Sequence, residues 1–199
     1  VGPPMPRGIL WPSRSECVST RSGSTRSRST GAWSEGAATS SGRARLYHAT
    51  ALLLPDASVL VAGGGAPGAQ TNLDAEIFRP PYLHEASGAL ATRPAIAAAP
   101  DDLAIGRDFD LIVETGAAVR RVTLVKTGSV THSFNMDQRF LELAFTRTGD
   151  SLRVAAPTSP ADAPPGTYLL FVLDERGVPS PATEAAMWSA SSAMRRARR

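Results

Sequence analysis

The chain has 199 residues, 42% of them hydrophobic and 20% charged, which supplies a core and excludes a wholly disordered chain. Net charge is only +3, and the arginines gather at the two ends without interleaved aromatic residues, so nucleic-acid binding is not expected. No apolar run approaches the ~20 residues that span a bilayer, the single cysteine, Cys17, can form no internal disulfide, and no secretory signal is visible near Val1.

Residues 1–44 are rich in Ser, Thr, Arg and Gly and follow neither a period of 2 nor one of 3.6, so they read as a disordered or non-native low-complexity segment. Trp11 and Trp33 lie there without apolar neighbours. The character changes at Leu46. Leu46–Leu54 and Val59–Ala62 read as strands joined by Pro55-Asp56-Ala57-Ser58, and Ala75–Phe78 reads as a third. Pro80-Pro81-Tyr82-Leu83 then closes the unit, because proline removes a ladder donor. A hairpin, a triple-glycine exit and a third strand fit part of one propeller blade, spanning 45–91 with its connector, and no second copy follows.

Residues 92–188 read as a self-contained β-sandwich. Phe109, Leu111 and Val113 share one face of a strand, as do Val122 with Leu124 and Leu152 with Val154. Leu141, Leu143 and Phe145 alternate with Glu142 and Ala144. Tyr168–Leu173 is continuously apolar, as expected of a central strand covered on both faces. Short strands with turn signals between them argue for a β-sandwich. Tyr168, two residues after Gly166, has the position of a tyrosine corner, and residues 189–199 form a basic tail. The whole is all-β.

Metal chemistry needs imidazole, thiolate or phenolate donors gathered in space. The histidines are His48, beside Tyr47 at the start of the hairpin, His84 in a connector, and His132 in the polar stretch SVTHSFNMDQR between two sandwich strands. None has the local spacing of a metal motif. On the residues alone, His48 reads more readily as a hydrogen-bonded strand histidine than as a ligand.

Four segments change that balance: RLYHATALLLPDASVLVAGGG from Arg45, AEIFRPPYL from Ala75, SVTHSFNMDQR from Ser129 and PPGTYLLFVLDERGVPS from Pro164. In order and spacing, Arg45 to about Pro181 resembles the C-terminal part of the galactose oxidase and glyoxal oxidase family of copper radical oxidases. The resemblance implies the last blade of a kelch propeller followed by an immunoglobulin-like early-set (E-set) sandwich. It implies one copper ion, with Tyr47 as axial ligand and base for the substrate hydroxyl proton, and His48 and His132 as equatorial ligands. His84 matches no ligand. It further implies oxidation of a small alcohol, aldehyde or carbohydrate by dioxygen to give hydrogen peroxide, in an extracellular or cell-envelope setting.

The sequence departs from the family where the second electron acceptor should be. That acceptor is a tyrosyl radical on a tyrosine cross-linked to cysteine, and the remaining tyrosines, Tyr82 and Tyr168, have structural positions, while Cys17 has no tyrosine near it. The Tyr-Cys radical cofactor is absent from these 199 residues. The reading is a C-terminal fragment with three copper-ligand positions, inactive alone. The alternative is a non-catalytic immunoglobulin-like module with a structural or carbohydrate-binding role. A smaller departure is Ala57, where the family hairpin has glycine; if the turn keeps positive φ, that costs roughly 1 kcal/mol. The open edge of the blade invites self-association.

Overall fold

The computed structural model describes residues 44–132 and 134–189. The low-complexity reading of residues up to 43, with Trp11, Cys17 and Trp33, falls outside them, as does all of the basic tail but Ser189.

Three strands open the structure: β1 (Ala49–Leu53), β2 (Val59–Gly63) and β3 (Ala75–Phe78), antiparallel in the order β1-β2-β3. The expected first strand is shorter at its start. The Ala49 amide donates to Leu46 O at 3.1 Å and His48 has φ 70°, so Leu46–Ala49 is a turn with positive φ at its third position, and the ladder starts only afterwards. At the other end, Pro55 fixes the first turn residue and Asp56 Oδ1 accepts from the Ser58 amide at 2.9 Å. Ala57 sits at φ 63°, the left-handed position where glycine was expected. A 3₁₀ turn, Pro81–Leu83, follows β3.

The rest is a two-layer sandwich. One sheet has the order β10-β7-β13-β14-β5, built from Phe140–Leu143, Arg121–Lys126, Gly166–Leu173, Thr183–Trp188 and Asp102–Ala104. The other has the order β11-β12-β6-β4, from Phe145–Thr148, Ser151–Val154, Phe109–Val113 and Ile96–Ala98. Alternation along β6 and β12 puts Phe109, Leu111, Val113, Leu152 and Val154 into the shared core with Val122, Leu124, Leu170, Val172 and Met187. Each fully buried side chain of this kind contributes about 1.5–3 kcal/mol. Leu143 belongs to one sheet and Phe145 to the other, so Ala144 is where the chain crosses between layers. The Tyr168 hydroxyl donates to Pro164 O at 2.8 Å, closing the corner the sequence suggested.

Strand β13 is central and apolar because both its faces are covered. Tyr168, Leu170 and Val172 point into the sandwich core. Leu169 and Phe171 point outward and pack in a second cluster with Ala57 and Leu83, flanked by Leu53, Val125 and Ala182. The hairpin turn and the 3₁₀ segment therefore rest on the outer face of the five-stranded sheet. A short hairpin, β8 (Val130–Thr131) and β9 (Phe134–Asn135), projects between β7 and β10 and lies beside β1.

Candidate metal centre

The Leu46–Ala49 turn presents Tyr47 and His48 together. Its backbone is held by the glycine run: the Gly65 amide donates to Tyr47 O at 2.7 Å, and the Asn72 amide donates to Gly64 O at 2.9 Å. Gly65 has φ 95°, and a Cβ there would lie 1.9 Å from the Gln70 carbonyl oxygen. The triple glycine that ends the hairpin is thus the cradle of the Tyr-His turn.

His132 reaches the same place from the sandwich. It opens the connection between β8 and β9, with φ 52°. The Asn135 side-chain oxygen accepts from the Ser129 and Asp137 amides, at 3.2 Å each, and ties the base of this hairpin together. Lys126 Nζ lies 3.1 Å from an Asp137 carboxylate oxygen, and this contact holds the Asp137 carboxyl below the usual aspartate range. Leu52 of β1 packs against Gly128, where an added Cβ would come within 2.8 Å of the leucine methyl.

The three rings converge. Centroids of Tyr47 and His48 are 3.9 Å apart, those of His48 and His132 4.6 Å, and those of Tyr47 and His132 5.9 Å. Imidazole-to-metal bonds are about 2 Å, so two rings on adjacent positions of one ion have centroids about 4–5 Å apart. The planes of His48 and His132 stand at 71°, edge to face. His48 Nδ1 lies 2.5 Å from Ala66 O; a carbonyl only accepts, so Nδ1 is the donor in this contact and leaves Nε2 as the ring nitrogen available to a ligand. His132 Nδ1 is engaged by the Thr131 hydroxyl at 2.6 Å. A hydrogen bond on the ring nitrogen away from the ligand position is the usual support of a metal-bound histidine.

Both histidines occupy the left-handed backbone region, which costs a non-glycine residue about 1 kcal/mol or more and persists where the surroundings enforce it. Tyr47 is 54% exposed, so the cluster opens to solvent on the tyrosine side. Phe134 and Met136, 53% and 71% exposed, stand on the same hairpin region as His132. No group of three or more His, Cys, Asp or Glu is gathered among the described residues, and the side chain that stands beside the two imidazoles is the phenol of Tyr47. His84 stands apart, with Nδ1 3.3 Å from Pro80 O.

Sequence reasoning did not find the supports: Thr131, Ala66, Asn135 and the Lys126–Asp137 pair. Only the glycine run carried a signal, as three residues free to adopt positive φ.

Comparison with known proteins places the sandwich. Residues 93–186 match the family model of the galactose oxidase-like, Early set domain. Over these residues the sandwich is similar to a galactose oxidase-like early-set domain. The chain is 38% identical over 143 residues to a galactose oxidase of Gibberella zeae, covering 70% of this chain and 21% of the relative. It is 34% identical over 152 residues to an aldehyde oxidase of Vitis pseudoreticulata, covering 68% and 28%. A solved fungal alcohol oxidase of the AA5 family, in complex with copper, superposes with a TM-score of 0.66 at 34% identity, covering 72% of this chain and 31% of the other. The chain thus spans between about a fifth and a third of the length of these relatives. The matched region extends beyond the early-set domain itself.

Proposed function

We propose that Tyr47, His48 and His132 form part of a copper centre for oxidising a small alcohol or aldehyde. The observation that carries this reading is the convergence of one phenol and two imidazoles from separate elements, each imidazole with its Nδ1 already bonded. The donor set fits copper, for which imidazole is a preferred ligand and phenolate a compatible one. Bound there, copper(II) would accept one of the two electrons that the oxidation releases.

The protein's own residues supply the rest. His48 and His132 would hold the ion through their Nε2 lone pairs. Tyr47, next to both rings and open to solvent, would receive the substrate hydroxyl proton at its phenolic oxygen. The exposed side of the cluster leaves space for a small hydroxyl-bearing substrate.

These 199 residues hold Tyr82 and Tyr168 as their other tyrosines, each engaged elsewhere: Tyr82 donates to Ala57 O and Tyr168 to Pro164 O. Both hydroxyls are thus bonded away from the Tyr47–His48–His132 cluster, and Cys17 lies outside the described residues. On this reading the chain binds copper yet does not turn over alcohols by itself. The small three-stranded sheet would be one blade of a kelch propeller.

Copper(II) titration of the chain, with His48→Ala, His132→Ala and Tyr47→Phe variants, tests the reading. Each histidine variant should weaken binding at least about 10-fold, the scale on which even supporting residues act. Binding that ignores both histidines contradicts it. Peroxide release from the copper-loaded chain with a primary alcohol should be absent, and sustained release would show that the electron partner lies within these residues.

A further inference from the structure

The donor rings belong to two parts of the fold. Tyr47 and His48 precede β1 of the small sheet, whereas His132 rides on the sandwich. Their convergence depends on how the β1–β2 hairpin is set against the sandwich. The far end of that hairpin carries a dense set of bonds. Three successive turn carbonyls are each taken by a donor from outside the small sheet. Pro55 O accepts from the Ala182 amide at 2.8 Å, Asp56 O from Arg93 Nη1 at 2.8 Å, and Ala57 O from the Tyr82 hydroxyl at 2.7 Å. Arg93 directs its other donors to Pro179 O at 2.7 Å from Nε and to Ser180 O at 2.6 Å from Nη2. One planar guanidinium thereby locks the turn to the segment between β13 and β14. Lysine, a single point donor, has no such fork.

Strand β1 has five residues and is about 16 Å long at roughly 3.3 Å per residue. A tilt of a few degrees at the turn therefore moves the other end by about 1 Å, enough to loosen a metal or catalytic site.

We propose that Arg93 and Tyr82 are positioning residues of the Tyr47–His48–His132 centre: their grip on the turn carbonyls sets the tilt of the hairpin and hence the spacing of His48 and His132. The proposal rests on the copper reading above for its functional consequence, while the spacing itself is measurable without metal. Neither side chain is a donor to the ion.

The test uses the 199-residue chain as wild type, Arg93→Met, Arg93→Lys and Tyr82→Phe, each with and without His132→Ala. In the metal-free protein, proton NMR should show ring-to-ring contact between His48 and His132 that weakens in Arg93→Met while the sandwich core signals persist. The copper(II) Kd should rise about 10-fold or more in Arg93→Met, with partial rescue in Arg93→Lys and a smaller rise in Tyr82→Phe. With His132→Ala present, the Arg93 substitution should change Kd no further, because the spacing no longer matters. Unchanged ring contact and Kd in a folded Arg93→Met protein overturn the proposal. So does an equal loss of affinity with and without His132, which marks general loosening. Should Arg93→Met not fold, Tyr82→Phe is judged by the same criteria. Ring contact that depends on Arg93 in a chain that binds no copper keeps the positioning role and removes the copper reading. Histidine-dependent copper binding that ignores both Arg93 and Tyr82 does the reverse.

Discussion

Ala57 sets two small terms against each other. Its φ of 63° strains an L side chain by roughly 1 kcal/mol relative to glycine. Its methyl is also buried, 2% exposed, against Leu83 and Phe171, which is worth about 0.8 kcal/mol. The terms nearly cancel, so Ala57→Gly should change the unfolding free energy by less than about 0.5 kcal/mol in urea titration. Ala57→Val adds a β-branch at a left-handed position and overfills the cluster, and should cost at least about 2 kcal/mol. The tyrosines make a second test. Burial pushes the Tyr82 and Tyr168 hydroxyls up to about 12, although the ring of Tyr82 keeps an edge at the surface. Their folded values lie above the ordinary tyrosine value, so their contribution to stability is complete below that value and is lost as pH rises toward 12. A tyrosinate absorbance titration should find Tyr82 and Tyr168 ionising only near that limit. The Asp137 carboxyl shows the opposite sign. Its value is lowered by the Lys126 contact, so its contribution holds above the usual aspartate range and fades as pH falls. In Lys126→Met, NMR titration should find Asp137 moved back upward.

Elements were legible wherever side-chain period decides them. The alternation of Phe109, Leu111 and Val113 marked β6, and the unbroken run from Tyr168 marked a strand covered on both faces, with its outer cover now seen as Ala57 and Leu83. What period could not show was the turn at Leu46–Ala49. Leu46 continues the apolar run, yet a backbone bond to Ala49 and the positive φ of His48 end the strand there. Such a turn depends on a distant partner, the Gly65 amide, and no local pattern encodes that. Likewise the placing of His132 beside His48 follows from β8 lying along β1, a tertiary contact; the sequence suggested it only through family likeness. Gly65→Ala should therefore act on the site through the element that cradles it. The clash sets the alanine Cβ, which has no rotamer freedom, against the Gln70 backbone carbonyl, so no side-chain rotation relieves it. A loss of about 2 kcal/mol or more is expected in thermal or urea unfolding, within the range of severe backbone effects, together with weaker copper binding.

At the scale of the molecule, two bodies share one seam. The sandwich has its own core, while the small sheet rests on the outer face of β13 and sends Tyr47 and His48 toward His132. The resemblance across this seam, 34% identity to a copper-bound alcohol oxidase over 72% of the chain, covers more than the sandwich alone. The central claim is that His48 and His132 hold one copper ion together. Pulsed electron paramagnetic resonance of the copper(II)-loaded chain counts bound imidazoles directly. The account predicts two in the wild type and one in each of His48→Ala and His132→Ala. An imidazole count that neither substitution changes would contradict it.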